Sequence, residues 1–334
     1  MCTSLTYKNS RGDHFLARTM DFSFELNGRA MFMPRQRTVQ GDAGAFTTKY
    51  GFVGAGRTIG HEIFVDGVNE RGVGAAALYF PQNAHYVDQA DEDKLGIAPH
   101  DFVTWVLGNA GSVAELRDLV HQVQLVDTPI SLLQLTTPLH YIISDTTGDT
   151  AVLEATSDHL ELIDNPVGVM TNSPEFGWHL QNLSTYGTLT AEERPLHDYL
   201  GYQLKTQGPG TGALGMPGDY TSPSRFVRTA FAKHFSQATP DTPSTLNLLQ
   251  HLLDSVTIPK GVKLKADGES DYTQYRGYMS LDDRAYYMEP YDNLELQCLQ
   301  LTDDMLANQH DPIEFPLEHG VHIHNLTPTP ASAE

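Results

Sequence analysis

Cysteine is nearly absent from this chain: 334 residues hold two, Cys2 and Cys298, at opposite ends. Neither belongs to a C-x-x-C pair or a Cys/His spacing, which excludes a disulfide framework and a structural zinc site. Positive charge is scarce as well. Against 42 Asp and Glu stand 21 Lys and Arg, a formal net charge of −21, and no basic run offsets it. Such a surface repels phosphates and anionic lipid, so nucleic acid is excluded as a partner. No apolar run approaches the roughly 18 residues of a membrane span, and the start carries neither a basic leader nor a signal-length apolar segment, so a cytoplasmic protein with no membrane partner is expected. What is present is 40% hydrophobic content with 9% aromatics, ordinary for a packed globule.

Alternation and turn chemistry predict short strands over residues 4–7, 14–17, 29–34, 52–54, 62–66 and 74–79. Helical spacing predicts helices over 99–107 and 113–123, the second capped by Ser112. The run LHYIISDTTGDTAVLEATSDHLELIDNPVGVMTNSP reads as a meander divided by TTGD and TSDH. A Gly/Pro-rich excursion over residues 183–220 follows, then two helices in SRFVRTAFAKHF and STLNLLQHLLDSV, and a hairpin in YTQYRGYMSLDDRAYYMEPYDN turning through SLDD. Strands, helices, strands, helices and strands in that order predict sheets packed in layers under helices. The glycines of GFVGAGRTIG lack G-x-G-x-x-G spacing and read as a turn, not a dinucleotide site. His319, His322 and His324 in HGVHIH lack a third convergent ligand and read as a near-terminal strand, so no metal is expected.

Cys2 stands directly behind the initiator methionine. Cysteine is small enough for methionine excision, which would put a thiol and a free α-amino group on one residue, a nucleophile with its own base. If residues 2–7 and 14–18 pair through the KNSRGD turn, Arg18 and Asp21 of ARTMDF return beside it. An arginine there favours the thiolate, and an aspartate orients the ammonium. On the residues alone, a small buried cysteine beside a surface ion pair is an equal alternative. Cys298, in LQCLQL, is expected to be buried.

MCTSL, ARTMDF, DGVNERGVGAAALYF, GVMTNSPEFGWHLQNL, GMPGDYTSPSRFVRTAF, SVTIPKG and the DYTQYRGYMSLDDRAYYMEPYDN hairpin resemble, in order from residue 2 to about 293, the choloylglycine hydrolase family of penicillin V acylases and conjugated bile salt hydrolases. The resemblance implies an α+β fold, the four-layer αββα sandwich of N-terminal-nucleophile hydrolases, with two mainly antiparallel sheets. It implies one domain over residues 2–325, and the composition of the chain's end predicts a disordered tail at 326–334. Carried over by motif, Cys2 is the nucleophile, Arg18 and Asp21 flank it, Asn172 is the side-chain donor of the oxyanion hole, and Arg225 of SRF lies behind the nucleophile. The Tyr79 backbone N–H is the second oxyanion donor, and Arg228 is left as a structural ion pair. No cofactor is implied, and the family often forms tetramers.

Bile salt hydrolases of the family typically carry Asn where this chain has Tyr79, and penicillin V acylases carry Tyr. An aromatic wall suits an aryl acyl group. Met20 and Tyr79 are therefore expected to bind substrate, and the expected activity is an amidase cleaving the penicillin V side chain through a Cys2 thioester. Conjugated bile salts and N-acyl homoserine lactones are the alternative substrates. A silent binding protein that retains Met1 is the alternative outside the enzyme class.

Overall fold

The computed structural model describes residues 1–205 and 208–327. Of the tail expected at 326–334, residues 328–334 lie outside the described residues. The chain opens with β1 (Cys2–Lys8) and β2 (His14–Phe22), antiparallel with Cys2 opposite Met20 and Ser4 opposite Arg18. The NSRGD turn between them is built by Asn9. Its Oδ1 accepts from the N–H of Arg11 at 3.0 Å and of Asp13 at 2.9 Å, and Gly12 supplies φ of 100°.

Two large sheets follow from the remaining strands. β3 (Arg29–Met33), β4 (Phe52–Ile59), β5 (His61–Asn69), β6 (Gly74–Tyr79), β7 (Leu139–Ser144), β8 (Thr150–Glu154) and β9 (Leu162–Asp164) all belong to the second sheet. β10 (Val169–Met170), β11 (Tyr272–Ser280), β12 (Ala285–Pro290) and β13 (Gln297–Gln300) join the first, and β14 (Ile313–Phe315) caps the second. The first sheet has the order β10-β1-β2-β11-β12-β13 and the second β9-β8-β7-β6-β5-β4-β3-β14. Neighbouring strands in both are antiparallel.

Strand alternation explains the layers. On β6, Ala76 and Leu78 pack into the core shared with β1 and β2, while Ala75 and Ala77 pack into a second core with α1 (Phe102–Asn109) and α2 (Val113–Leu119). On the other side, α3 (Phe176–Ser184), α4 (Ser222–Phe235) and α5 (Thr242–Asp254) contribute Phe176, Phe226 and Leu249 to the core of the first sheet. This is the αββα sandwich. The Ser112 cap holds, its hydroxyl accepting from Glu115 N–H, but the helix expected over 113–123 ends at Leu119 and gives way to a 3-10 turn and a short strand, Val123–Leu125.

Three further expectations are corrected. GFVGAGRTIG is no turn: it forms β4, and its glycines let the strands approach, since a Cβ on Gly54 would lie 2.1 Å from the Asp66 carbonyl oxygen. His319, His322 and His324 lie outside any strand, on an exposed segment after β14. Cys298 is exposed, because β13 turns Leu299 inward and Cys298 outward.

Candidate active site

Residues opposite one another on antiparallel strands share a face, so Cys2, Met20, Ser4 and Arg18 all look from the first sheet toward the second. Thr3, Thr19 and Asp21 look the other way, toward α4. The sequence reading placed Arg18 and Asp21 together beside Cys2; the pleat puts them on opposite faces.

Arg18 is fully buried and pairs with Asp66 of β5, Nη1 lying 2.6 Å from Oδ2. The same Nη1 donates to the Tyr275 hydroxyl at 3.2 Å, Nη2 donates to the Ala77 carbonyl at 3.0 Å, and the Tyr275 hydroxyl donates to Asp66 at 2.7 Å. Burial penalises the guanidinium, but the charges of Cys2, Tyr275 and Asp66 outweigh it and hold Arg18 above its ordinary value.

Asp21 accepts from the Thr19 hydroxyl at 3.1 Å and the Thr273 hydroxyl at 2.6 Å. Burial pushes its carboxyl up, against the pull of the N-terminal ammonium and Arg225. The Asp21 carbonyl lies 3.9 Å from Cys2 Sγ and also accepts from the Met1 ammonium, which stands 3.5 Å from Asp271. With Met1 attached, the nitrogen of Cys2 is an amide that donates to Asn172 Oδ1 at 2.9 Å.

Asn172 joins the parts. Its Oδ1 also accepts from Arg225 Nη2 at 2.6 Å, while Nδ2 donates to the Tyr79 carbonyl at 2.6 Å. Two donors on one side fix the orientation of the amide and leave one Nδ2–H over. Phe80 N–H donates to the Pro138 carbonyl at 2.8 Å, so by ladder alternation Tyr79 turns its own N–H and C=O away from β7. The Tyr79 N–H therefore lies on the Asn172 side. The Asn172 main chain is clamped in turn: His179 Nε2–H donates to its carbonyl at 2.7 Å, and its N–H donates to the Ser222 hydroxyl at 2.9 Å. Burial drives His179 down to about 4, so it is neutral near pH 7.

Arg225, fully buried on α4, also donates to the Cys2 carbonyl at 2.6 Å, the Thr3 hydroxyl at 2.5 Å and the Tyr220 carbonyl at 3.1 Å. Arg228, one turn on, was expected in an ion pair. It is held instead by the carbonyls of Pro217, Asp219 and Ser255.

Cys2 forms part of the wall of a cleft lined chiefly by apolar side chains. Met20, Phe22, Ile63 and Val65 line it from the strands, and Ile130, Leu132 and Leu133 from the segment before β7. Tyr79 is one lining residue among many, edge-on to Phe22 with ring centroids 5.9 Å apart. The expected residues Cys2, Arg18, Asp21, Asn172, Arg225, Met20 and Tyr79 thus converge. Sequence reasoning missed Asp66, Thr273 and Tyr275; an aspartate inside the otherwise apolar run IFVDGV was the available signal for the first.

The family model for linear amide C–N hydrolases of the choloylglycine hydrolase family matches residues 2–315. The bile salt hydrolase/transferase of Clostridium perfringens is 35% identical over 311 residues, 92% of this chain and 94% of that protein. The crystal structure of the C2A mutant of the conjugated bile acid hydrolase from Clostridium perfringens superposes with a TM-score of 0.90 at 32% identity, over 98% of this chain and 100% of that one. The penicillin V acylase of Pectobacterium atrosepticum is more distant, 27% identical over 69% of this chain and 59% of that protein. The family resemblance read from the motifs is therefore right, and its lean toward penicillin V acylases is not supported by these similarities. On this evidence the chain belongs to the choloylglycine hydrolase family of linear amide C–N hydrolases.

Proposed function

We propose that the chain hydrolyses the amide of conjugated bile salts through a thioester on Cys2. The observation that carries this reading is the cleft: the thiol stands in a wall made chiefly of apolar side chains, Met20, Phe22, Ile63, Val65, Ile130 and Leu133 among them, which suits a large apolar acyl group. The identity to proteins named as bile salt hydrolases supports it.

In the proposed reaction, removal of Met1 frees the Cys2 α-amine beside Asn172 Oδ1. The amine takes the thiol proton, directly or through a water, and sulfur attacks the amide carbon. The carbonyl pair moves onto oxygen, where the spare Nδ2–H of Asn172 and the Tyr79 N–H receive it. The C–N bond then breaks as the ammonium returns its proton to the leaving amine. Water, deprotonated by the same amine, attacks the thioester, and the thiolate leaves. Arg225 holds Asn172 and the Cys2 carbonyl in place, Arg18 supplies positive charge on the thiol's face, and Asp21 anchors the strand on the other. Met20 and Tyr79 bind the acyl group.

A second reading, an aryl acyl group as in penicillin V, draws on the Phe22–Tyr79 aromatic pair. Comparing kcat/KM for glycocholate, taurocholate, penicillin V and an N-acyl homoserine lactone separates the readings. The first predicts the highest value for a bile salt, and a higher value for penicillin V would overturn it.

Assembly into a tetramer is part of the proposal. The excursion expected over 183–220 carries a hairpin, Asp198–Tyr199 with Tyr202–Gln203, on which Tyr199 is 66% and Tyr202 70% exposed, the kind of apolar surface a partner subunit covers. Two free thiols, one of them exposed, suit the reducing cytoplasm.

A further inference from the structure

We propose that Asp42, His61 and His100 form a binding site for a divalent transition-metal ion of the zinc class, with Asp101 fixing the ring of His61. The site flanks the substrate cleft, which His100 also lines, and the inference does not depend on which amide is cleaved. Asp42 lies in the connection between two short strands, Thr38–Gln40 and Ala45–Thr47. His61 begins β5, and His100 and Asp101 belong to the 3-10 turn leading into α1. One ligand atom from each of Asp42, His61 and His100 lies within 4.8 Å of the others.

Each histidine has one carboxylate hydrogen bond, and the gap that remains between His61 and Asp42 suits a shared cation. His61 Nε2 lies 2.6 Å from Asp101 Oδ1, the arrangement in which a carboxylate takes one ring N–H and leaves the other nitrogen free to coordinate. That nitrogen, Nδ1, stands 3.9 Å from Asp42 Oδ1, too far for a hydrogen bond. Two ligand bonds of roughly 2.0–2.2 Å through a shared ion span such a gap. His100 Nε2 lies 2.9 Å from Asp42 Oδ2 and 3.9 Å from Asp101 Oδ2.

One further observation concerns the charge balance of the cluster. Neither Asp42 nor Asp101 forms an ion pair with a Lys or Arg among the described residues; the two carboxylates face the two histidines, and Asp101 Oδ2 also accepts the Asp42 backbone N–H at 3.1 Å. The histidines and Asp101 are buried, whereas the Asp42 side chain is 36% exposed. Solvent thus has access on the Asp42 side, for ion entry and for a water as fourth ligand. Two imidazoles and a carboxylate select zinc, cobalt or nickel over the oxygen-loving magnesium and calcium.

The test is titration of chelator-treated full-length protein with Zn²⁺ by calorimetry, in a Cys2→Ala/Cys298→Ser background so that no thiol competes. The expected result is one site per chain, a raised Tm, and the intense visible bands of four-coordinate cobalt when Co²⁺ replaces Zn²⁺. Asp42→Asn, on a partly exposed loop residue, and His100→Gln should each abolish that site, with native circular dichroism as the control. Asp101→Asn should weaken it about 10–100-fold. His322→Ala, which removes the exposed Glu295/Glu318/His322 group, should leave it intact. Absence of saturable uptake, uptake that survives both Asp42→Asn and His100→Gln, or uptake lost with His322→Ala would overturn the assignment.

Discussion

Arg18 finds its counter-charge in Asp66, 48 residues along the chain, 2.6 Å away and fully buried. The nearer carboxylate, Asp21, lies on the other face of the same strand. The pair carries the Tyr275 hydroxyl with it, so Asp66 fixes the position of the arginine on the thiol's side of the sheet. Asp66→Asn should destabilise the protein by roughly 3–5 kcal/mol, since it strands a buried guanidinium. Denaturant unfolding measures this. The double variant Arg18→Leu/Asp66→Asn should recover part of the loss, and strictly additive losses would show that the two do not act as a pair.

Asn172→Ala removes the proposed oxyanion donor and leaves Arg225 Nη2 without its Asn172 acceptor. Turnover of a cleaved substrate should fall by roughly 10²–10³ in kcat, with a smaller change in KM. A change confined to KM would assign Asn172 to ground-state binding.

Acid should loosen the site before it unfolds the sheets. His179 folds as a neutral ring with its pKa brought down, chiefly by burial, to about 4 from 6.5. The unfolded chain therefore binds the extra proton between those values, and stability present above pH 6.5 is lost as pH falls toward 4. A shift of that size corresponds to about 3 kcal/mol. In His179→Gln this part of the pH dependence of unfolding should disappear. An unchanged slope between pH 6.5 and 4 would contradict a neutral buried His179.

Tyr79→Asn keeps the backbone N–H and removes the ring that meets Phe22. The ratio of kcat/KM for glycocholate over penicillin V should rise by roughly 10 to 200-fold, the range one apolar contact commands. An unchanged ratio would move selectivity to Met20, Phe22 and the Ile130–Leu133 stretch of the cleft wall.

What the sequence made legible was local or motif-borne. Cys2, Arg18 and Asp21 sit on one hairpin whose turn residues are explicit, so their neighbourhood could be read from spacing, although the faces they occupy could not. Asn172 and Arg225 came from the motifs MTNSP and SPSRF. Asp66, Thr273 and Tyr275 arrive from strands far away in sequence, and only the sheet order brings them in. Glycine misled at Gly54, where the absence of a side chain serves close strand packing and not a turn. Cys298 was misplaced by one pleat: LQCLQL leaves the register open, and the inward position goes to Leu299.

The central claim, a Cys2 nucleophile whose own α-amine is the base, is tested most directly by intact mass of the active protein quenched in acid during turnover of glycocholate. The account predicts a chain lighter than the full sequence by one methionine, part of it carrying one cholyl group that maps to the N-terminal peptide. Active protein that retains Met1, or an acyl group carried on any residue other than Cys2, would contradict it.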